Sequence, residues 1–452
     1  MSVTEVQRKC KLGAEVCNRA PPYTSHRMMK QLRLIAALAA AAAALAVPAP
    51  AGAASGVRYG ILDDAWLLNG PGTVESRIAR LDRLSVQVVR FSIRWDQVAR
   101  SQPATPTDPA DPAYTWGKND SVLDGLRAHG IAVVLQLVGT PGWANGGQPP
   151  NVAPSSGTTF ANFATAAAQR YSWIKRWLIW NEPNQVRWLR PTSAAVYTTR
   201  LLNPAYAAIH AAIPGAQVAG GGTAPRGSTG GVSPVAWIAG MHAAHARLDA
   251  YAHNPYPLDP KRETPLTGGC GHCTTITMAT ISKLVALVAR DFGRARIWLT
   301  EYGYQSNPPD RFLGVSLALQ ARYMSEGAYA AYRTPRVDLL IHFLYRDEPN
   351  LARFQSGVVS LTNVQKPAFT AFELPLAQIS RNDTRSVLWG QLRAPAAGST
   401  ARLERRVGSH WETLATVHAG AGGFFRWTGT LTGRSQVRVH AGGLVGATLT
   451  IA

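Results

Sequence analysis

The chain has 452 residues, which is too long for one average domain but accommodates one large domain and a small one. Its formal net charge is +20, and the basic excess is mostly arginine scattered along the chain. A nucleic-acid binder usually gathers its basic residues on one face, so this scatter argues against that class. It favours solubility or weak attachment to an acidic cell surface or wall.

The N-terminal region has the pattern of a signal peptide. Residues 28–53 contain two basic residues, an apolar core of about a dozen residues, and then small residues of the A-x-A type. The alternative, a membrane anchor, is disfavoured because the apolar core is shorter than the roughly 20 residues that cross a bilayer. We expect cleavage near Ala53 and a secreted protein. Residues 1–27 then form an upstream extension, which translation from Met28 or Met29 would omit.

Short apolar runs rich in Val, Ile and Leu alternate with longer helical patterns over most of the chain. Eight runs predict strands that start near residues 56, 86, 131, 175, 216, 248, 296 and 337. Strands that alternate with helices form parallel βα units, and eight such units close into a (β/α)8 TIM barrel. We assign this barrel to residues 54–377.

The fourth and seventh predicted strands each end in a glutamate. WLIWNEPN places Glu182 just after strand four, and IWLTEYGY places Glu301 at the end of strand seven. Reactive groups of such barrels lie where strands end and βα loops begin, so both glutamates should reach one mouth. Two converging carboxylates suit glycoside hydrolysis, because one can donate a proton while the other attacks or activates water.

These two segments resemble the clan of retaining (β/α)8 glycoside hydrolases, most of all family 39 and cellulase-like relatives in family 5. The resemblance covers residues 56 to about 375 and implies Glu182 as acid/base and Glu301 as nucleophile, without cofactor or metal. It also implies that Arg90, in VVRFSIRW, steadies the nucleophile. Asn181 matches the asparagine that contacts the sugar 2-hydroxyl.

Other residues match positions that line the site in this clan. YAHNPYP places His253 and Tyr256 after strand six, where one residue bonds the nucleophile, although a core histidine is the alternative for His253. The clan usually ends strand eight with a tryptophan, for which this chain offers Phe343 or Tyr345. Aromatic rings after strands three, four, seven and eight are candidate sugar platforms or, alternatively, loop packing: Trp143, Trp188, Tyr304 and Tyr345.

The segment TGGCGHCTT carries a Cys-x-x-Cys pair, Cys270 and Cys273. This spacing occurs in redox pairs, half zinc sites and short-loop disulfides. Zinc needs further ligands, and only His272 is adjacent. In an exported chain we expect a local structural disulfide. The remaining cysteines, Cys10 and Cys17, precede the predicted cleavage.

After about residue 378 the pattern changes to short alternating segments separated by Gly and Ser turns. This predicts a small β-sandwich over residues 378–452, which resembles the immunoglobulin-like accessory modules of exported bacterial hydrolases. Its aromatic residues raise the alternative of a carbohydrate-binding surface, but the period-two spacing favours a sandwich core: Trp411, Phe424, Phe425 and Trp427.

The whole pattern predicts a secreted retaining glycoside hydrolase that acts on O-glycosidic bonds of oligo- or polysaccharides. A non-catalytic carbohydrate-binding or wall-associated protein on the same barrel is the alternative, and the presence of both glutamates argues against it. A third hypothesis, a basic adhesion protein that holds acidic polymers through arginine, rests on net charge alone and predicts steep salt dependence.

Overall fold

The computed structural model describes residues 56–394 and 398–451. The upstream extension, the signal segment with its cleavage near Ala53, and Cys10 and Cys17 lie outside these residues. All eight predicted strands are present: β1 (Arg58–Leu62), β2 (Val88–Arg94), β3 (Ala132–Val138), β4 (Arg176–Ile179), β5 (Gln217–Thr223), β6 (Ala250–His253), β7 (Arg296–Tyr302) and β8 (Val337–Phe343).

The eight strands form a closed parallel barrel in which β1 pairs with both β2 and β8. Apolar side chains fill the barrel interior, among them Leu178 from β4 and Trp298 from β7. A second, larger apolar cluster lies between the strands and the surrounding helices. The strands are therefore buried on both faces, which explains why they are nearly continuous apolar runs in the sequence.

Helices cover the outside of the barrel, and Ser or Thr side chains cap several of their N-termini, as Thr73, Ser156 and Ser316 do. They occupy the intervals between the strands, as the alternating sequence pattern predicts. The helices are α1 (Asp64–Asn69), α2 (Val74–Arg83), α3 (Trp95–Val98), α4 (Lys118–Ala128), α5 (Gly157–Arg170), α6 (Ala194–Tyr197), α7 (Asn203–Ala212), α8 (Pro234–Ala243), α9 (Ile281–Phe292), α10 (Leu317–Arg333) and α11 (Pro367–Glu373). A π-helical turn, Thr198–Leu202, joins α6 to α7, and 3-10 turns occupy Gly142–Ala144, Met278–Thr280 and Ala421–Gly423.

Two antiparallel sheets form the C-terminal β-sandwich. The strands are β9 (Leu376–Asn382), β10 (Arg385–Gln391), β11 (Thr400–Val407), β12 (His410–His418), β13 (Phe424–Thr430), β14 (Gln436–Ala441), β15 (Leu444–Val445) and β16 (Leu449–Thr450). One sheet has the order β9-β10-β13 and the other β12-β11-β14-β15, with β16 also paired to β14. The first strand starts at Leu376, two residues before the boundary expected from the sequence.

The sheet β9-β10-β13 lies between the barrel and the second sheet. Trp389 and Phe424 pack against Tyr332 of α10, at centroid distances of 5.3 and 4.4 Å. Phe425 and the partly buried Trp427 belong to the sandwich core. Phe425 and Trp427 thus pack in the sandwich core, as the period-two spacing predicts, whereas Phe424 packs against the barrel.

Cys270 and Cys273 form a disulfide in the loop between β6 and α9, the alternative expected for an exported chain. Both sulfur atoms are therefore joined to each other and not available as thiolate ligands for a metal. Between residues 56 and 394, and between 398 and 451, no helix has the length and apolar character needed to cross a bilayer.

Candidate active site

The backbone after β4 turns sharply and places Glu182 at the barrel mouth. Trp180 and Glu182 have positive φ angles of 68° and 37°, a backbone conformation that residues other than glycine rarely adopt. The Glu182 N–H donates to the carbonyl oxygen of Gly222, at the end of β5, over 3.0 Å. A strained backbone held by a neighbouring strand is typical of functional sites, and here it fixes a carboxylate.

Glu301 lies at the end of β7 and accepts one hydrogen bond on each carboxylate oxygen. The phenol of Tyr256 donates to Oε1 over 2.8 Å, and Arg90 Nη1 donates to Oε2 over 3.0 Å. Because both bonds are charge-assisted, the pair holds the carboxylate in a defined orientation. Arg90 and Tyr256 thus contact Glu301, and their roles in a reaction stay predictions.

Arg90 is the buried centre of the polar network beneath the mouth, with 2% of its surface exposed. Its Nη1 also donates to the carbonyl of Thr300 over 2.9 Å. Its Nη2 donates to Gln136 Oε1 over 2.9 Å and to Asn181 Oδ1 over 2.5 Å. One guanidinium thus connects β2, β3 and β7 with the turn after β4, since it satisfies acceptors on all four.

Glu182 occupies a different electrostatic environment from Glu301. Burial, followed by the negative charge of Glu301, raises the pKa of Glu182 to about 7. Hydrogen bonds from Asn254 and Trp188 act in the opposite direction, and Asn254 Nδ2 lies 3.0 Å from Glu182 Oε1. A carboxyl group in such a setting can hold a proton near neutral pH.

Asp64 is a third carboxylate near this network that the sequence analysis did not single out. It starts α1 directly after β1, and its Oδ1 accepts a hydrogen bond of 3.3 Å from the backbone N–H of Ser92. Burial raises the pKa of Asp64 to about 6, and the positive charge of Arg90 opposes the rise. The strand-end dipeptide Asp63-Asp64 was a signal available in the sequence.

The structure corrects the expected position of His253. The ring is fully buried, and its nitrogens lie 2.8 Å from Thr223 Oγ1 and 2.9 Å from the carbonyl of Ile276. It is a core histidine whose pKa burial lowers to about 4. The residue after it, Asn254, is the one that contacts Glu182, and Thr300 Oγ1 holds the Asn254 amide oxygen at 2.8 Å.

The four aromatic residues considered as sugar platforms differ in burial and in contacts. Trp188 is partly buried and contacts Glu182. Trp143 is also partly buried, but its ring nitrogen donates to the carbonyl of Ala99 and its ring packs on Trp95, so neither of these contacts reaches the glutamates.

Tyr304 and Tyr345 are not exposed platforms. The buried Tyr304 hydroxyl donates to the carbonyl of Glu263 over 2.8 Å. The ring of Tyr345 is buried and stacks on Trp66 at a centroid distance of 4.1 Å. The expectation that Tyr304 and Tyr345 are sugar platforms is therefore wrong, because both side chains are buried between the βα loops.

A cluster of three aromatic rings lies beside Glu301 instead. Phe343, at the end of β8, packs edge-on against Tyr256 with centroids 6.4 Å apart, so Phe343 and not Tyr345 adjoins the tyrosine that bonds Glu301. Phe354 lies 5.0 Å from Phe343 and 6.0 Å from Tyr256, and it is 40% exposed. Phe354 was missed because it belongs to a long loop without periodicity. We call these three residues the aromatic wall.

No profile of a known family matches the chain, and no curated protein matches it in sequence. Solved structures do match. A family 39 glycoside hydrolase from Bacteroides cellulosilyticus has a TM-score of 0.56 at 15% identity, over 86% of this chain and 81% of that one. The family 39 enzyme from Xanthomonas axonopodis pv. citri has a TM-score of 0.57 at 14% identity, over 89% and 96%.

A third match is a family 39 β-xylosidase from Caulobacter crescentus, with a TM-score of 0.54 at 17% identity over 79% of this chain and 84% of that one. Structural matches at such low sequence identity support a shared fold and give no information about the substrate. The chain therefore has the (β/α)8 fold of family 39 glycoside hydrolases, as the motifs after its fourth and seventh strands predicted.

Proposed function

We propose that the protein is a retaining glycoside hydrolase that cleaves O-glycosidic bonds of oligo- or polysaccharides. The observation that carries the proposal is the pair Glu182 and Glu301 at one barrel mouth, with the pKa of Glu182 raised to about 7. A proton donor and a hydrogen-bonded carboxylate acceptor are the two groups that glycoside hydrolysis needs. The shared fold of family 39 enzymes supports this reaction class by analogy.

The proposed mechanism is double displacement. Glu301 attacks the anomeric carbon and forms a glycosyl ester, while Glu182 gives its proton to the departing oxygen as the glycosidic bond breaks. Glu182, now ionised, takes a proton from water, whose oxygen attacks the same carbon and releases Glu301. Two inversions retain the anomeric configuration, and both carboxyl groups return to their starting states.

The surrounding residues support these roles. Arg90 and Tyr256 hold the two oxygens of Glu301, so its orientation is set before substrate binds. Asn181 accepts from Arg90 through Oδ1, which leaves its Nδ2 to donate to a sugar 2-hydroxyl. The aromatic wall offers ring faces and edges for the C–H groups of a pyranose.

The test is a panel of aryl β-glycosides, including β-xylosides, and of polysaccharides, followed by proton NMR. We expect hydrolysis with retained anomeric configuration, and loss of activity by about 10³-fold or more in Glu301→Ala. Glu412→Ala, which removes an exposed carboxylate of the sandwich, should be unchanged. An inverted product would refute the roles of the two glutamates. No hydrolysis of any substrate would favour the non-catalytic carbohydrate-binding alternative.

We also propose that the protein acts outside the cell. The signal-like segment before Ala53 supports export, and the disulfide between Cys270 and Cys273 suits an oxidising compartment. Mass spectrometry of the protein from culture medium should find an N-terminus near Ala54. Recovery of the uncleaved chain from the cytoplasm alone would contradict export.

A further inference from the structure

The outer face of the sheet β12-β11-β14 carries a row of cross-strand polar neighbours. Arg402 on β11 pairs with Thr416 on β12 and with His440 on β14. Glu404 and Arg406 continue the row along β11. Directly paired residues point to the same side of an antiparallel sheet. We call this surface the basic sheet face and define it by six residues: Arg402, Glu404, Arg406, Trp411, Arg438 and His440.

This face points away from the barrel. Leu403 and Val439, which alternate with the face residues along β11 and β14, are buried in the sandwich core. The opposite sheet supplies the contacts with the barrel, through Trp389 and Phe424 on α10. The basic sheet face is therefore the side of the accessory domain that is open to a partner while the barrel mouth works on its substrate.

The positive groups of the face are held in place around one carboxylate. Glu404 accepts from Arg438 Nε over 2.8 Å and lies 3.0 Å from His440 Nδ1. The guanidinium of Arg438 lies 4.1 Å above the ring of Trp411, a cation–π arrangement that keeps it flat on the sheet. Arg402 Nε lies 3.4 Å from Glu404 Oε1, and the Arg402 side chain is 53% exposed. Three arginines against one glutamate leave the face positive at neutral pH.

We propose that the basic sheet face binds an acidic polysaccharide, a sugar polymer that bears carboxylate groups. Planar guanidinium groups bind carboxylates through paired hydrogen bonds, and the exposed Thr413 and Thr416 add partners for hydroxyl groups. The choice of a sugar polymer rests on the proposed function of the barrel. Proteins that bind duplex DNA typically neutralise about six to ten phosphates, which three arginines around a central carboxylate do not match.

Binding is measured with the full chain carrying Glu301→Ala, so that the polymer is not degraded. The probes are polygalacturonate, neutral dextran and duplex DNA, each at low and at physiological salt. We expect polygalacturonate to bind and dextran not to bind, with affinity falling as salt rises. Arg402→Gln with Arg406→Gln should raise the Kd for polygalacturonate about tenfold.

The matched control is Arg83→Gln with Arg290→Gln, which removes two exposed charges from barrel helices and should change the Kd less than about twofold. Thermal unfolding checks that both pairs fold, and Arg402→Lys with Arg406→Lys, which retains charge but loses the planar fork, should bind with intermediate affinity.

Equal weakening by both glutamine pairs, equal binding of dextran, tighter binding of DNA, or absence of polygalacturonate binding would each overturn the proposal. Failure of the hydrolase proposal shows separately, because the aryl glycoside panel needs turnover by the barrel and this assay needs none.

Discussion

Tyr256 and Glu301 are joined at the barrel mouth by a hydrogen bond of 2.8 Å from the phenol to Oε1. Tyr256 follows β6 and Glu301 ends β7, so the bond connects neighbouring strand ends. Burial and the negative charge of Glu301 raise the pKa of Tyr256 well above its ordinary value, so the phenol stays a donor at any working pH.

Tyr256→Phe removes the donor and keeps the ring of the aromatic wall. We expect kcat to fall about 10- to 100-fold, because Glu301 loses one of its two orienting bonds. Tyr304→Phe is the control, since it deletes a buried hydroxyl bonded to the carbonyl of Glu263. Steady-state kinetics should show Tyr304→Phe with wild-type kcat and a stability loss of about 1 kcal/mol. Equal kcat in the two variants would contradict the role of Tyr256.

Arg90→Met leaves acceptors on Glu301, Asn181 and Gln136 without their buried donor. We expect the free energy of unfolding to fall by about 3–5 kcal/mol and hydrolysis to be lost, because a buried charge pair is broken on one side. Arg94→Met, which removes the partner of Asp96 at the end of the same strand, should cost at most about 1 kcal/mol. Denaturant unfolding at neutral pH measures both, and similar losses would argue against the network.

The rate should depend on the protonation of Glu182. Its carboxyl group is protonated below a pKa of about 7 and can donate; above that pH it is ionised and cannot. We therefore expect kcat/KM to decline as pH rises through about 7. Glu182→Gln should abolish this alkaline decline in kcat/KM. The variant should keep its activity on substrates with very acidic leaving groups, because such groups depart without a proton. Persistence of the same decline in the glutamine variant would reject Glu182 as the acid.

Phe354 is predicted to bind substrate through its exposed ring. Phe354→Ala should raise KM about 5- to 30-fold with a smaller change in kcat, because a stacking surface is lost while the carboxylates stay in place. Phe354→Trp should keep the low KM. Phe312→Ala, which removes a ring that is 86% exposed on the neighbouring loop, serves as the control and should behave as wild type. A wild-type KM in Phe354→Ala would exclude the ring from the binding site.

Arg393 connects the sandwich to the barrel through buried contacts. Its guanidinium lies 3.8 Å above the ring of Tyr59 on β1 and donates to the carbonyl of Phe372 over 2.6 Å, and burial lowers its pKa to about 10. Arg393→Met should lower the free energy of unfolding by about 2 kcal/mol, because the buried carbonyl of Phe372 and Oε1 of Gln391 lose their donor. The exposed Arg385 provides the control, and Arg385→Met should be within about 0.5 kcal/mol of wild type. Calorimetry of both variants tests this.

Local sequence patterns were sufficient to predict the parts of the molecule that depend on strand order. The apolar runs and intervening helices predicted the barrel, and the strand ends identified Glu182 and Glu301. Arg90 and Tyr256 followed from a resemblance in short motifs. These signals are readable because a strand buried on both faces must be apolar until it reaches the mouth, where a polar residue becomes tolerable.

The direction of individual side chains was decided by tertiary structure. His253 and Asn254 are adjacent in the chain, and successive residues along an extended segment point to opposite sides. A shift of one residue therefore separates a core histidine from an asparagine that donates a hydrogen bond to Glu182. Tyr304 and Tyr345 turn into packing, whereas Phe354 enters the aromatic wall from a loop. The sequence by itself determined which chemistry gathers at the barrel mouth. Only the packing of loops against one another determined which rings a sugar can meet, because loop conformation depends on contacts far apart in the chain.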